Sequence, residues 1–318
     1  MLTSIIDFIL FKVFHLDPSL RLAQSLHFFI YDSIKIILML FVMISVIGFL
    51  RTYVAPSKVK YWLSSKHPVI GYTAAALFGS LTPFCSCSSI PIFLSFLEVG
   101  VPLGVTLCFL ITSPLINEYL VLLMASYFGI KITIFYVLSG LVIGITSGMI
   151  LGRMNLEKYL EKDLIKTGNN TDISYLTFRS RFLYGITEAV RIVKKLWKWI
   201  LLGIGIGALI HNFVPDDLIH SVVSAGGVFT VPLAVIMGVP LYGNCAAIVP
   251  IALVLFKKGV PLGAALALMM AISALSLPEA VILRRAMKLR LITIFFLVVA
   301  LGIIFTGYLF NLLETLIL

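Results

Sequence analysis

Long apolar runs broken by short polar punctuation make up most of this chain. The stretches 68–97, 99–117, 132–152, 218–256, 259–278 and 291–313 contain no Asp, Glu, Lys or Arg. Several reach the roughly 20 residues that a membrane-crossing helix needs. The pattern predicts a spanning helix over about 30–53 and a long apolar segment, 68–97, broken in its middle. A helix interrupted near Pro114 follows, then a last spanning helix over 132–152. The same order returns at about 194–213, 224–256, near Pro278, and 291–313. Residues 1–14 read as an interfacial helix, because Asp7 interrupts the apolar run and no signal-peptide cleavage site follows.

The recurrence has a register. Gly100-Val101-Pro102-Leu103-Gly104 repeats as Gly259-Val260-Pro261-Leu262-Gly263, an offset of 159 residues. That offset also pairs Pro56 with Pro215, Gly79 with Gly238, Pro91 with Pro250 and Lys131 with Arg290; Glu118 pairs with Glu279 after a two-residue slip. The chain therefore divides into an N-terminal segment 1–29, a first transmembrane repeat 30–152, a polar cytoplasmic linker 153–190 and a second repeat 191–318. Within the linker, 155–166 has helical periodicity and 167–172 reads as a loop.

Composition then fixes the solvent. Of the 318 residues 60% are hydrophobic and 12% charged, against about 25% charged in soluble domains. An all-α polytopic membrane protein is expected, and a secreted domain, a soluble enzyme and a nucleic-acid binder are excluded. Charge adds orientation. The regions 51–66, 153–198 and 284–290 hold 18 of the 24 Lys and Arg. If all three are cytoplasmic, each repeat crosses an odd number of times and the repeats are inverted. Three crossings per half, with the broken segment re-entrant, meets that parity, although Lys257 and Lys258 then fall outside. Four crossings per half, in a parallel layout, is the alternative.

Candidate chemistry clusters at the breaks. Pro83 and Pro91 bracket Phe84-Cys85-Ser86-Cys87-Ser88-Ser89-Ile90 in the middle of an uncharged run. Irregular backbone at membrane depth is tolerated where it is buried in protein or lines a cavity. The matching stretch is Pro240-Leu241-Tyr242-Gly243-Asn244-Cys245. Paired interruptions in two halves point to a solute site near the midplane, with Pro83, Cys85, Ser86, Cys87, Ser88, Ser89, Asn244 and Cys245 as candidates. On extended backbone Cys85 and Cys87 face one side; with Cys245 they would suit a thiophile. Cys and Ser also serve simply as small packing residues, and both readings stand. Cys108, alone in a helical run, reads as packing. Asn117, Glu118 and Glu279 follow Pro114 or Pro278 and are candidates for proton coupling or solute contact. An acid in the first turn of a helix also stabilises it electrostatically.

The string TPFCSCSSIPIF at 82–93, with GVPLG and SPLINEY at 113–119, resembles the predicted-permease family that contains the ArsP-type organoarsenical effluxers and the YraQ-like proteins. The resemblance implies a multi-helix inner-membrane permease; ArsP-like members export trivalent organoarsenicals. The expected function is secondary-active movement of a small solute, best matched to efflux of a thiophile. Uptake of a small anion is the alternative, as is a subunit that needs a partner. No cofactor, metal site, P-loop or nucleophile–base pair is expected. The partners are the solute and the lipid bilayer, with proton coupling; a homo-oligomer is compatible with the sequence.

Overall fold

The structure is a computed structural model that describes Phe8 and residues 21–52, 68–81, 86–161, 177–213, 227–241 and 245–317. The readings at 1–14 and 167–172 lie outside that set. The described residues are almost wholly helical, and their sole β pairing is an isolated bridge between Leu160 and Met287. The helices are α1 (Arg21–Arg51), α2 (Pro68–Leu81), α3 (Ser86–Val99), α4 (Leu103–Leu115), α5 (Glu118–Tyr127) and α6 (Ile130–Arg153). Then come α7 (Phe178–Phe213), which begins inside the stretch read as the linker, α8 (Thr230–Gly238), α9 (Cys245–Lys257), α10 (Leu262–Ala274), α11 (Leu277–Leu283) and α12 (Leu289–Ile317).

Among the described residues, Ile130–Arg153, Leu262–Leu283 and Leu289–Glu314 are long and apolar enough to cross a membrane. Leu103–Leu115 and Leu120–Tyr127, bent by 43°, make a fourth such span if taken together. Exposed Ile134, Leu138 and Val142 on α6, and Leu297, Leu301 and Phe305 on α12, give these helices outward apolar faces. The buried side is α4 and α10, whose every residue is enclosed.

The 159-residue offset recurs in the backbone. It relates the first residues of α3 and α9, α4 and α10, α5 and α11, and α6 and α12. It relates the turns ahead of α4 and α10, where Gly100 and Gly259 take φ of 82° and 93°. There Val101 N donates to Phe96 O and Val260 N to Leu255 O, closing each helix end through a left-handed glycine. It also relates close approaches. A Cβ on Gly79 would meet Phe109 O at 3.1 Å, and one on Gly238 would meet Leu268 O at 3.1 Å.

Direction follows from these contacts. Tyr72 lies beside Gly104 and Cys108 while Gly79 lies beside Phe109 and Ser113, so α2 and α4 run parallel. The turn at Gly100, with Ser89 against Ser113 and Phe96 against Phe109, makes α3 antiparallel to α4. Thus α2 and α3 double back on one another. Cys108 is fully buried and its Sγ donates to Tyr72 O at 3.3 Å, a packing position as expected.

Two expectations shift. The helices α1 and α7 begin at Arg21 and Phe178, well before the expected 30 and 194. They form one long antiparallel pair, with Arg181 Nη1 donating to Thr52 O at 2.9 Å, Gly185 against Gly48, and Gly205 against Phe29. Residues such as Ser25, Ser33 and Glu188 are buried there, so tertiary contact carries helix beyond what hydropathy alone supports. Of the helix expected over 155–166, the described part, up to Glu161, holds a single 3-10 turn, Leu156–Tyr159. Asn155 takes left-handed backbone at φ 49°, which Asn tolerates and a continuing helix does not. The chain then extends, with Glu161 N donating to Ala286 O and Lys288 N to Tyr159 O.

Candidate functional site

Each break in the bundle is built around proline. In α4, Pro114 has no N–H to give the Leu110 carbonyl, and the helix stops one residue later. The carbonyl of Leu115, in the last turn, is taken by the Tyr136 hydroxyl of α6 at 3.0 Å, and Ser113 Oγ lies 2.8 Å from Ser89 Oγ of α3, both buried. At the matching position of α12 stands Phe295, also buried but with no hydroxyl. There the break is tied through backbone, Leu277 N donating to Val239 O at 2.8 Å. Tyr136 carried no sequence signal, because its role is a contact across 21 residues.

Tyr136→Phe leaves a buried carbonyl short of its donor, a loss of about 1–3 kcal/mol. Thermal unfolding in detergent checks this; an unchanged midpoint would mean the break is held by other bonds.

Helices α8 and α9 repeat the doubled-back pair, with Gly238 of α8 against Leu268 and Ala271 of α10 and the turn at Gly259 reversing α9 against α10, and both pairs carry prolines. Pro91 cannot supply an N–H to the Cys87 carbonyl, nor Pro250 to that of Ala246. Acceptors are therefore released in the first turns of α3 and α9, at equivalent positions. Pro83, Cys85 and Asn244 lie outside the described residues. Ser86, Cys87, Ser88 and Cys245 are described by backbone alone, at the starts of α3 and α9. That backbone is helical at Cys87, so the extended arrangement expected for Cys85 and Cys87 does not hold there.

The carboxylates part company. Glu279, in the first turn of α11, is 2% exposed, whereas Glu118, in the first turn of α5, is exposed. Asn117 sits half-buried in the break and its carbonyl accepts from Val121 N at 2.9 Å. The helices that carry or follow the candidates pack in a crossed pattern. Helix α3, with Ser86–Ser89, lies on α11, which carries Glu279; α9, which starts at Cys245, lies on α5, which starts at Glu118. Helix α11 also lies on α7. Each doubled-back pair thus reaches the helix that follows the other break. Among the described residues no three His, Cys, Asp or Glu side chains group at metal-binding distance.

The profile of a family described as predicted permease (ArsP_1) matches residues 21–312. The chain belongs to the predicted-permease family. A Streptococcus mutans relative of this permease, provisionally named as a two-component membrane permease complex subunit, is 25% identical over 177 residues, 55% of this chain and 58% of that protein. The UPF0718 protein MJ0584 of Methanocaldococcus jannaschii is 23% identical over 282 residues, 69% of this chain and 76% of its own. The UPF0718 protein YcgR of Bacillus subtilis is 29% identical over 141 residues, 43% of this chain and 46% of its own. The match thus spans 58%, 76% and 46% of these relatives' lengths. No solved structure matches the permease. The family, with the apolar helices, makes it a membrane protein.

Proposed function

We propose that the permease is a secondary-active transporter of a small solute, built from two inverted halves whose doubled-back pairs meet at mid-membrane. The observation that carries this is the crossed packing of α3 on α11 and α9 on α5. It places the break of each half beside the turn-back of the other, the arrangement that inverted-repeat transporters use for substrate. Inversion is further supported by the α1–α7 pair: helices at equivalent positions that run antiparallel are related by an axis across them, not along them. The bonds joining 159–161 to 286–288 bring two of the basic regions to one end of the bundle, as a cytoplasmic face requires. Each half then crosses three times, with α2–α3 and α8–α9 re-entrant, and 30–152 and 191–318 are the two units.

The solute class rests on the soft thiols Cys85, Cys87 and Cys245 and on the family resemblance; both favour a trivalent organoarsenical or similar thiophile, moved outward. Everted vesicles of the cytoplasmic membrane test it by phenylarsenite accumulation with and without a proton gradient. Gradient-dependent accumulation that falls about tenfold in Cys85→Ser or Cys87→Ser, roughly 1.4 kcal/mol of binding, supports a thiolate site. Accumulation that survives both substitutions withdraws the thiol role. None in wild type withdraws the arsenical. The second reading, a subunit that needs a partner, is favoured by the name of the Streptococcus mutans relative. Transport by the purified chain alone in liposomes argues against it.

A further inference from the structure

The break between α10 and α11 leaves backbone oxygen unspent where the break between α4 and α5 does not. A helix running on past Ala274 would give Leu277 N to the Ser273 carbonyl and the next N–H to that of Ala274. Leu277 N goes instead to Val239 O, 2.8 Å away, and Pro278 has no N–H to give. Neither carbonyl gains another donor among the described residues, and both residues are buried. In the first half the same loss is made good. Leu115 is the equivalent of Ala274 at the 159-residue offset, and its carbonyl accepts from the Tyr136 hydroxyl. Gly104 against Gly148 and Gly263 against Gly307 set α4–α6 and α10–α12 in one register. Phe295 therefore stands to Ala274 as Tyr136 stands to Leu115, and it brings no hydroxyl.

A side-chain oxygen is held at the same place. Ser273 is 8% exposed, and its Oγ is enclosed with no hydrogen-bond partner. Helix hydroxyls commonly return to a carbonyl three or four residues back, as Thr106 does to Pro102 O and Thr112 to Cys108 O. Ser273 Oγ makes no such bond. The staggered settings that reach those carbonyls are excluded, and the remaining one turns Oγ beside the serine's own carbonyl. Successive carbonyls at a helix end stand roughly 3.5 Å apart and point past the end. Covalent geometry thus groups the three oxygens at the end of α10, where the helix dipole is negative. They also lie halfway along Leu262–Leu283, one of the stretches long and apolar enough to cross a membrane. Helices α4, α8 and α10 carry no charged residue that would oppose a cation there.

We propose that Ser273 Oγ and the carbonyl oxygens of Ser273 and Ala274 form a sodium-ion site at the end of α10. Neutral, hard oxygens suit a hard cation and offer nothing to a thiophile. Unwound carbonyls and half-helix C-terminal ends are the groups with which secondary transporters hold Na+. The site counts neither on the Glu279 carboxylate nor on inversion of the halves. Its use as a coupling ion, though not its binding, rests on the transporter reading.

The test uses the full chain in phosphatidylcholine nanodiscs, with binding of radioactive sodium measured at ionic strength held constant by choline chloride. Saturable binding, displaced by unlabelled sodium, is expected. Ser273→Ala removes the hydroxyl, and Phe295→Tyr returns to Ala274 the donor that Tyr136 gives Leu115. Each is expected to weaken binding about tenfold or more. Thr293→Ala, whose hydroxyl is spent on Leu289 O, is expected to leave it unchanged. Thermal unfolding in sodium-free buffer confirms that the variants fold. Absent saturable binding, or binding that either Ser273→Ala or Phe295→Tyr leaves unaltered, overturns the site. The measurement needs neither solute nor gradient. Its failure leaves the transporter reading standing, and absent phenylarsenite accumulation leaves the site standing.

Discussion

Among the described glycines, Gly263→Ala is expected to destabilise the protein most. A Cβ at this position would fall on the backbone carbonyl of Gly307 and lie 2.6 Å from Asn311 Oδ1 and 2.8 Å from the Gly307 carbonyl carbon. These are helix backbone and a bonded amide, and neither can step aside. The same site is where α12 ties down the start of α10, through Leu262 N to Glu314 Oε2 at 2.9 Å and Gly263 N to Asn311 Oδ1 at 2.8 Å. Forcing the helices apart adds an overpacking cost of about 3 kcal/mol to the loss of a cap worth about 1 kcal/mol. Gly302→Ala is the control, because its Cβ would meet only Ile143 Cγ2 at 3.3 Å and other side-chain ends. A fall in unfolding midpoint of less than about 2 °C for Gly263→Ala, under about 1 kcal/mol for a chain of this size, would show that α10 and α12 are not in close contact.

The second large effect is expected at Glu279. At 2% exposure where α11 packs against both α7 and α3, its carboxylate is shielded from water in this arrangement. A group loaded in one arrangement and released in another is what coupling to a proton gradient requires. Glu279→Gln, which keeps shape and removes charge, is expected to lower gradient-driven transport by about tenfold or more while the fold survives. Glu118→Gln, on an exposed carboxylate, is expected to lower it by less than about threefold. Initial rates at several gradients decide the matter. Wild-type rates in Glu279→Gln would reduce this acid to the stabiliser of a helix start.

Those two acids show how far sequence carries. Their spacing after proline was legible, as was the offset that places α4 on α10 and α6 on α12, because prolines, glycines and apolar runs leave their mark along the chain. Their unequal burial was not legible, since it depends on whether α7 lies over the following helix. The same holds for Tyr136, whose hydroxyl matters only because Leu115 ends a helix across from it, and for the early starts of α1 and α7. Hydropathy reports what a residue would meet in lipid; Ser25, Ser33 and Glu188 meet another helix instead.

The bridge between Leu160 and Met287 has a mechanical consequence. Among the described residues, the backbone hydrogen bonds that join the part of the chain up to Glu161 with the part from Thr177 are the two flanking this bridge, supported by the Arg284–Glu161 ion pair at 3.5 Å. Bonds of this kind resist shear, while side chains packed on one another slide. If the two parts tilt against one another, as the proposed transport requires, the end of the bundle holding Leu160 and Met287 is where they stay joined and the far end opens widest. Since Arg284 directly follows α11, the enclosed Glu279 rides close to that joint, on the short arm of the lever.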